Sequence, residues 1–138
     1  MRSAWPEVIV STLLMSLTAC VSPRQPRCHS GEQLAVEDTL YFGQQKPSGA
    51  ITNEEWARFL QDVVTPRFPS GLTVISDASG QWLSPKGSLV RESTRILQLV
   101  HPDDDANDAL LAKVISEYKT QFDQQSVLRV KIKACVAF

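Results

Sequence analysis

Side chains able to do acid–base, nucleophilic or coordinating work are few in this sequence: 2 His, 3 Cys and 15 Asp and Glu among 138 residues. Nucleophilic catalysis needs a base beside a Ser or Cys. His29 lies in a Pro- and Ser-containing stretch, and His101 stands directly before Pro102. GxSxG, P-loop and GxGxxG patterns are all missing, so His101 reads as a solvated turn histidine rather than a general base. No CxxC or HxxxH spacing offers a zinc module. The run Asp103, Asp104, Asp105 lacks the spaced ligands and distal Glu of a calcium loop and reads as helix capping. Neither a metal nor a cofactor is expected.

What remains is a set of ion-pairing and aromatic groups: Tyr41, Arg67, Asp77, Glu92, Arg95 and Arg129. Arg67 sits between Pro66 and Pro69 in a stiff loop, with Asp77 and Glu92 as available carboxylate partners. A guanidinium bonded bidentately to either would fix that loop, and this structural reading is the default. The alternative is a pocket for an anion or small molecule built from Tyr41, Arg67, Glu92 and Arg129. A further alternative makes Tyr41 and Glu92 an acid–base pair in a sheet-face cavity. Trp82, which follows a turn, is placed either on a pocket rim or on a dimer surface.

The elements that position these groups are legible from periodicity. Leu34, Val36, Leu40 and Phe42 share one parity, with Asp38 interrupting, and mark a strand near residues 36–43. Thr52 and Glu55 form a capping box for a helix whose stripe is Trp56, Phe59, Leu60, Val63 and Val64, stopped by Pro66. Residues 72–75 and Trp82 suggest a second strand with a turn or bulge near Gly80, and residues 89–100 a third, of undecided parity. A second helix carries Leu111, Val114, Ile115, Tyr118 and Phe122. The last strand alternates Leu128, Val130, Ile132, Ala134 and Val136 with Arg129, Lys131, Lys133 and Cys135. The order βαββαβ predicts an α+β fold, the ferredoxin-like split βαβ arrangement, with two helices on one sheet face and the final strand at an edge, antiparallel to the first. Oily halves are expected to turn toward the helices, leaving Tyr41 and Arg129 on the uncovered face. The same topology brings Cys28 and Cys135 to one side of the sheet, which makes a disulfide between them an expectation.

Ahead of the domain, Val8 to Leu17 is an apolar run of 10 residues, too short for a span that needs about 20 and suited to a signal peptide. Leu17, Thr18, Ala19 and Cys20 resemble the lipobox of bacterial lipoproteins, in which the Cys is diacylated. Residues 1–19 are therefore read as leader, 20–34 as lipidated Cys and flexible tether, and 35–138 as one domain. Val21 after the Cys suggests the outer membrane, with the domain facing the periplasm. A net charge of -1, from 14 basic against 15 acidic residues, removes the usual footprint of nucleic-acid binding.

The run VTPRFPSGLTV from Val64 to Val74, with YFG at Tyr41, GQW at Gly80, RES at Arg91 and QQSVLR at Gln124, resembles an uncharacterised bacterial domain-of-unknown-function family of small predicted lipoproteins. The resemblance implies export and the domain boundary and supplies no chemistry. Together these features predict a non-catalytic cell-envelope module. Cys20 holds it to a membrane, and its uncovered sheet face takes a small ligand, an envelope protein or a second copy of the chain.

Overall fold

A computed structural model describes residues 27–138. The expected leader, Cys20 and the first part of the expected tether lie outside the described residues. Strand β1 runs from Gln33 to Gly43, starting earlier than periodicity suggested because Ala35 is buried along with Val36. A two-stranded ribbon follows, β2 (Gln45–Lys46) and β3 (Gly49–Ala50), turning at Gly49 with φ 117°. It leads into helix α1 (Asn53–Phe59), where Glu55 N–H donates to Thr52 Oγ1 at 3.1 Å and Thr52 N–H donates to the Glu55 carboxylate at 2.9 Å. A π-type turn over Leu60–Val64 continues α1, closed by Thr65 N–H donating to Leu60 O at 2.8 Å, before Pro66 stops it.

Strands β4 (Thr73–Leu83) and β5 (Leu89–His101) form a hairpin, helix α2 (Asp105–Gln121) starts from the side-chain cap of Asp104, and β6 (Leu128–Val136) ends the domain. The sheet order β4-β5-β1-β6, antiparallel throughout, places β6 at an edge beside β1. This is the ferredoxin-like α+β arrangement. The irregularity in β4 lies between Ile75 and Ala78, where Asp77 takes φ 63°, rather than at Gly80. That bulge leaves β5 regular and settles its parity. Leu97, Leu99 and His101 turn to the helices, while Val90, Ile96 and Val100 turn away, as follows from Leu40 opposite Leu97 and Tyr41 opposite Ile96.

The core gathers Leu40, Phe42, Trp56, Phe59, Leu97 and Tyr118 between the sheet and both helices. Phe42 packs edge-on against Trp56 and Tyr118, with centroids 5.3 and 4.5 Å away. Cys28 and Cys135 are joined by a disulfide that ties the segment before β1 to the end of β6. Glu32 lies close enough to share a ligand sphere with the two sulfurs, which the bond consumes. Among the described residues no helix is long and apolar enough to cross a membrane, a statement that does not bear on β-barrels.

The parity expected for β6 is reversed. Leu40 faces Arg129 and Asp38 faces Lys131, so the basic half of β6 lies on the helix side. Leu128, Val130 and Ile132 lie on the open side, with Leu128 59% and Ile132 50% exposed. The cause is local charge. Asp38 is a buried β1 residue on the helix side, and the acidic start of α2 hangs over the same edge, so that side of β6 meets carboxylates rather than hydrocarbon.

Candidate functional site

Alternation along β1 puts Tyr41 on the face without helices, and its cross-strand partners there are Ile96 on β5 and Leu128 on β6. One register step along, Gly43 opposes Thr94, which in turn opposes Ala78; Gly80 then opposes Glu92, and Trp82 opposes Val90. Two glycines at this corner leave the sheet surface without side chains, and the turn from α2 into β6, residues 123–126, forms one wall. The result is a cleft of about 630 Å³ on the open face, with Tyr41, Trp82, Glu92, Thr94, Gln124 and Leu128 among its lining residues. A cleft of this volume falls in the range that holds small ligands.

The glycines are required for space rather than for dihedral freedom. A Cβ at Gly43 would meet both Glu92 carboxylate oxygens, at 3.2 and 3.3 Å, and Gln124 Oε1 at 3.4 Å; a Cβ at Gly80 would meet Thr94 Oγ1 at 3.1 Å. The backbone of Gly43 is fixed from the opposite side of the sheet. Tyr118 Oη donates to Gly43 O at 2.7 Å and accepts from Gln44 Nε2 at 3.2 Å. Burial pushes the Tyr118 phenol well above its ordinary pKa, so it stays a donor even in alkaline solution. Gln124 spends its Nε2 on the Gln45 and Phe122 carbonyls, which leaves Oε1 turned to the cleft. Thr94 is only 7% exposed. Among the described residues no Lys, Arg or His pairs with Glu92, and no cation lines the cleft.

The profile of a family described as "Protein of unknown function (DUF3574)" matches residues 37–138, most of the chain and nearly all of the described domain. The chain belongs to DUF3574. A search of curated proteins gives no match. Among solved structures, a phage SAM lyase in complex with S-methyl-5'-thioadenosine superposes with a TM-score of 0.54 at 12% identity, over 84% of this chain and 97% of that one. CutA1 from Oryza sativa superposes with a TM-score of 0.52 at 10% identity, over 76% and 84% respectively. At such identities the likeness shows the fold alone.

Within this DUF3574 domain, the four residues grouped from sequence separate onto two faces. Tyr41 and Glu92 share the cleft. Arg129 lies on the helix side, donating through Nε and Nη2 to the two Asp38 oxygens at 2.6 Å each and through Nη2 to Asp108 at 2.5 Å. These bonds raise the Arg129 pKa and hold the Asp108 carboxyl down to about 2. Arg67 pairs with Glu117 on α2 and donates to Val63 O at 2.6 Å, with neither Asp77 nor Glu92 as partner. Arg95 lies over the Trp56 ring and donates to Asn53 at 2.6 Å. An anion pocket built on Arg67 and Arg129 therefore does not form.

His101 is likewise not a solvated turn residue. It is buried, with Nε2 2.8 Å from Asp38 Oδ2 and Nδ1 2.7 Å from Pro102 O. Asp38 is 0% exposed and joins His101 to Arg129. The signal for this network was Asp38 itself. An acid at an inward strand position requires polar partners on its neighbours, and Arg129 and His101 supply them.

Proposed function

We propose that this protein is an exported lipoprotein, held to the outer membrane through acylated Cys20, whose domain binds a small ligand in the open-face cleft without transforming it. The observation that carries the binding reading is the carboxylate of Glu92, unpaired with any described cation at the floor of a cleft that also presents Tyr41 and Trp82. Asp38, Asp103 and Asp108 each pair with a cation, whereas Glu92 has none among the described residues and opens onto the cleft. The export reading rests on the residue 8–17 apolar run and the Leu17–Cys20 motif.

Two measurements test this. Mass spectrometry of the N-terminal peptide should find a diacylglyceryl group on Cys20, and Cys20→Ala should move the protein out of the membrane fraction; an unmodified Cys20 in membrane-free fractions overturns the anchor. A screen of small acids, amines and neutral polar compounds, followed by backbone amide NMR, should give shifts at Gly43, Gly80 and Thr94. Hits confined to the helix side, or a cleft closed by self-association in sedimentation runs, overturn the ligand reading and favour the homodimer. A second reading has one observation behind it: Tyr41 and Glu92 line the same cleft and include a phenol and a carboxylate, the groups of an acid–base pair. It predicts that a bound compound is recovered chemically altered and that Tyr41→Phe stops the conversion.

A further inference from the structure

The floor of the cleft has a specific polarity. The point a Cβ would occupy on Gly43 is surrounded by three oxygens, two from Glu92 and one from Gln124, at 3.2 to 3.4 Å. None of these three carries a proton to donate when Glu92 is ionised. Asp123 adds a second acid to the lining, and Thr94 places its hydroxyl at the neighbouring Gly80. Convergent acceptors with no donor among them are an unfavourable arrangement unless something donates to all three.

The charge of the lining chooses among ligands. Three acceptors converging above Gly43, with a second acid and no described cation in the lining, suit a cation that carries three protons. Beside it, Tyr41 and Trp82 offer aromatic surface, and Ile96 and Leu128 offer aliphatic surface for the remainder of a short molecule. Trp82 is 49% exposed, on the rim rather than in the core. Resting on the ligand-binding reading above, we propose that the cleft recognises a small primary amine. The ammonium sits over Gly43 against Glu92 and Gln124 Oε1, and the organic part lies along Tyr41 and Trp82. The charge preference is thus the opposite of the anion pocket that Arg67 and Arg129 suggested from sequence.

Full-length protein, purified with its anchor in mild detergent, is titrated with butylamine, butanol and butyrate while backbone amides of Gly43 and Gly80 are followed. The three probes match in size and differ in charge. Butylamine should bind about tenfold or more tightly than either counterpart, the worth of a charged hydrogen bond. Glu92→Gln should erase that preference, and Gly43→Ala, at a residue without positive φ, should weaken butylamine while leaving amides on the helix side unshifted. Butanol or butyrate binding in the cleft as well as butylamine overturns the amine inference and leaves the ligand reading standing. Absence of butylamine shifts at Gly43 and Gly80 also overturns it, as does a Glu92→Gln protein that keeps the preference.

Discussion

The two faces of one sheet treat charge in opposite ways. On the helix side, Asp38 is matched by Arg129 and His101, Asp108 by Arg129 and Lys131, and Asp103 by Lys131 and Lys133. On the open side, Glu92 faces a cleft that no cation lines among the described residues, and β6 shows Leu128, Val130 and Ile132 to the exterior. Arg129 and Glu92 look alike in sequence, as charged residues on the two strands that flank β1, yet one is consumed by the fold and the other is not. A charge whose partners are supplied within the chain holds the structure together; a charge left without them marks where an outside partner belongs.

The contrast is broken most severely at Asp38. Removing it leaves Arg129 and His101 partly or wholly buried without their shared acceptor, so Asp38→Ala should cost about 3–5 kcal/mol. Urea unfolding reads this, and a loss under about 1 kcal/mol would mean that the network is not structural. Next comes the disulfide. Cys28→Ser with Cys135→Ser opens a 107-residue closure, for which the chain-entropy model gives up to about 5 kcal/mol; thermal melts of both forms check it. Arg67→Ala removes a partly exposed pair with Glu117, for which about 0–1 kcal/mol is expected. At the small end, Glu92→Gln should change stability by no more than about 0.5 kcal/mol, since it breaks no described ion pair, while removing amine preference.

Acid sharpens the same comparison. Asp108 is held near 2 by hydrogen bonds from Arg129, then Lys131, against an ordinary 3.8. A carboxyl with a depressed folded-state value binds fewer protons folded than unfolded, so its stabilising effect is present above the unfolded value and is lost as pH falls. Stability should therefore decline between pH 3.8 and about 2, and Asp108→Asn should flatten that slope in acid-titration melts. Asp103, lowered by Lys133 and Lys131, acts in the same direction.

Much of the architecture was readable because each element carried its own period: the capping box at Thr52 and Glu55, the stripe ending at Phe122, and the alternation from Leu128 to Val136. Hydrophobic alternation divides a strand into two faces without saying which is covered. At β6 the rule that oily residues face inward failed because the edge lies under the acidic start of α2 and beside Asp38. The cleft was partly readable. Tyr41 and Glu92 were picked by type, but the roles of Gly43, Gly80 and Gln124 depend on register across three strands and on the α2–β6 turn, which no local pattern reveals. The sequence offers Arg67 the carboxylates of Asp77 and Glu92, whereas Glu117 reaches it from α2.

Nature placed the same two side-chain types on each face, Tyr41 and Trp82 in the cleft against Tyr118 and Trp56 in the core. Hydroxyl-radical footprinting of the full-length protein in membranes compares them directly. Tyr41 and Trp82 should be oxidised and then protected by butylamine, with Tyr118 and Trp56 unreactive throughout. Tyr41 and Trp82 shielded before any ligand is added, or oxidised with no response to butylamine, would contradict an open face that receives its ligand at Glu92.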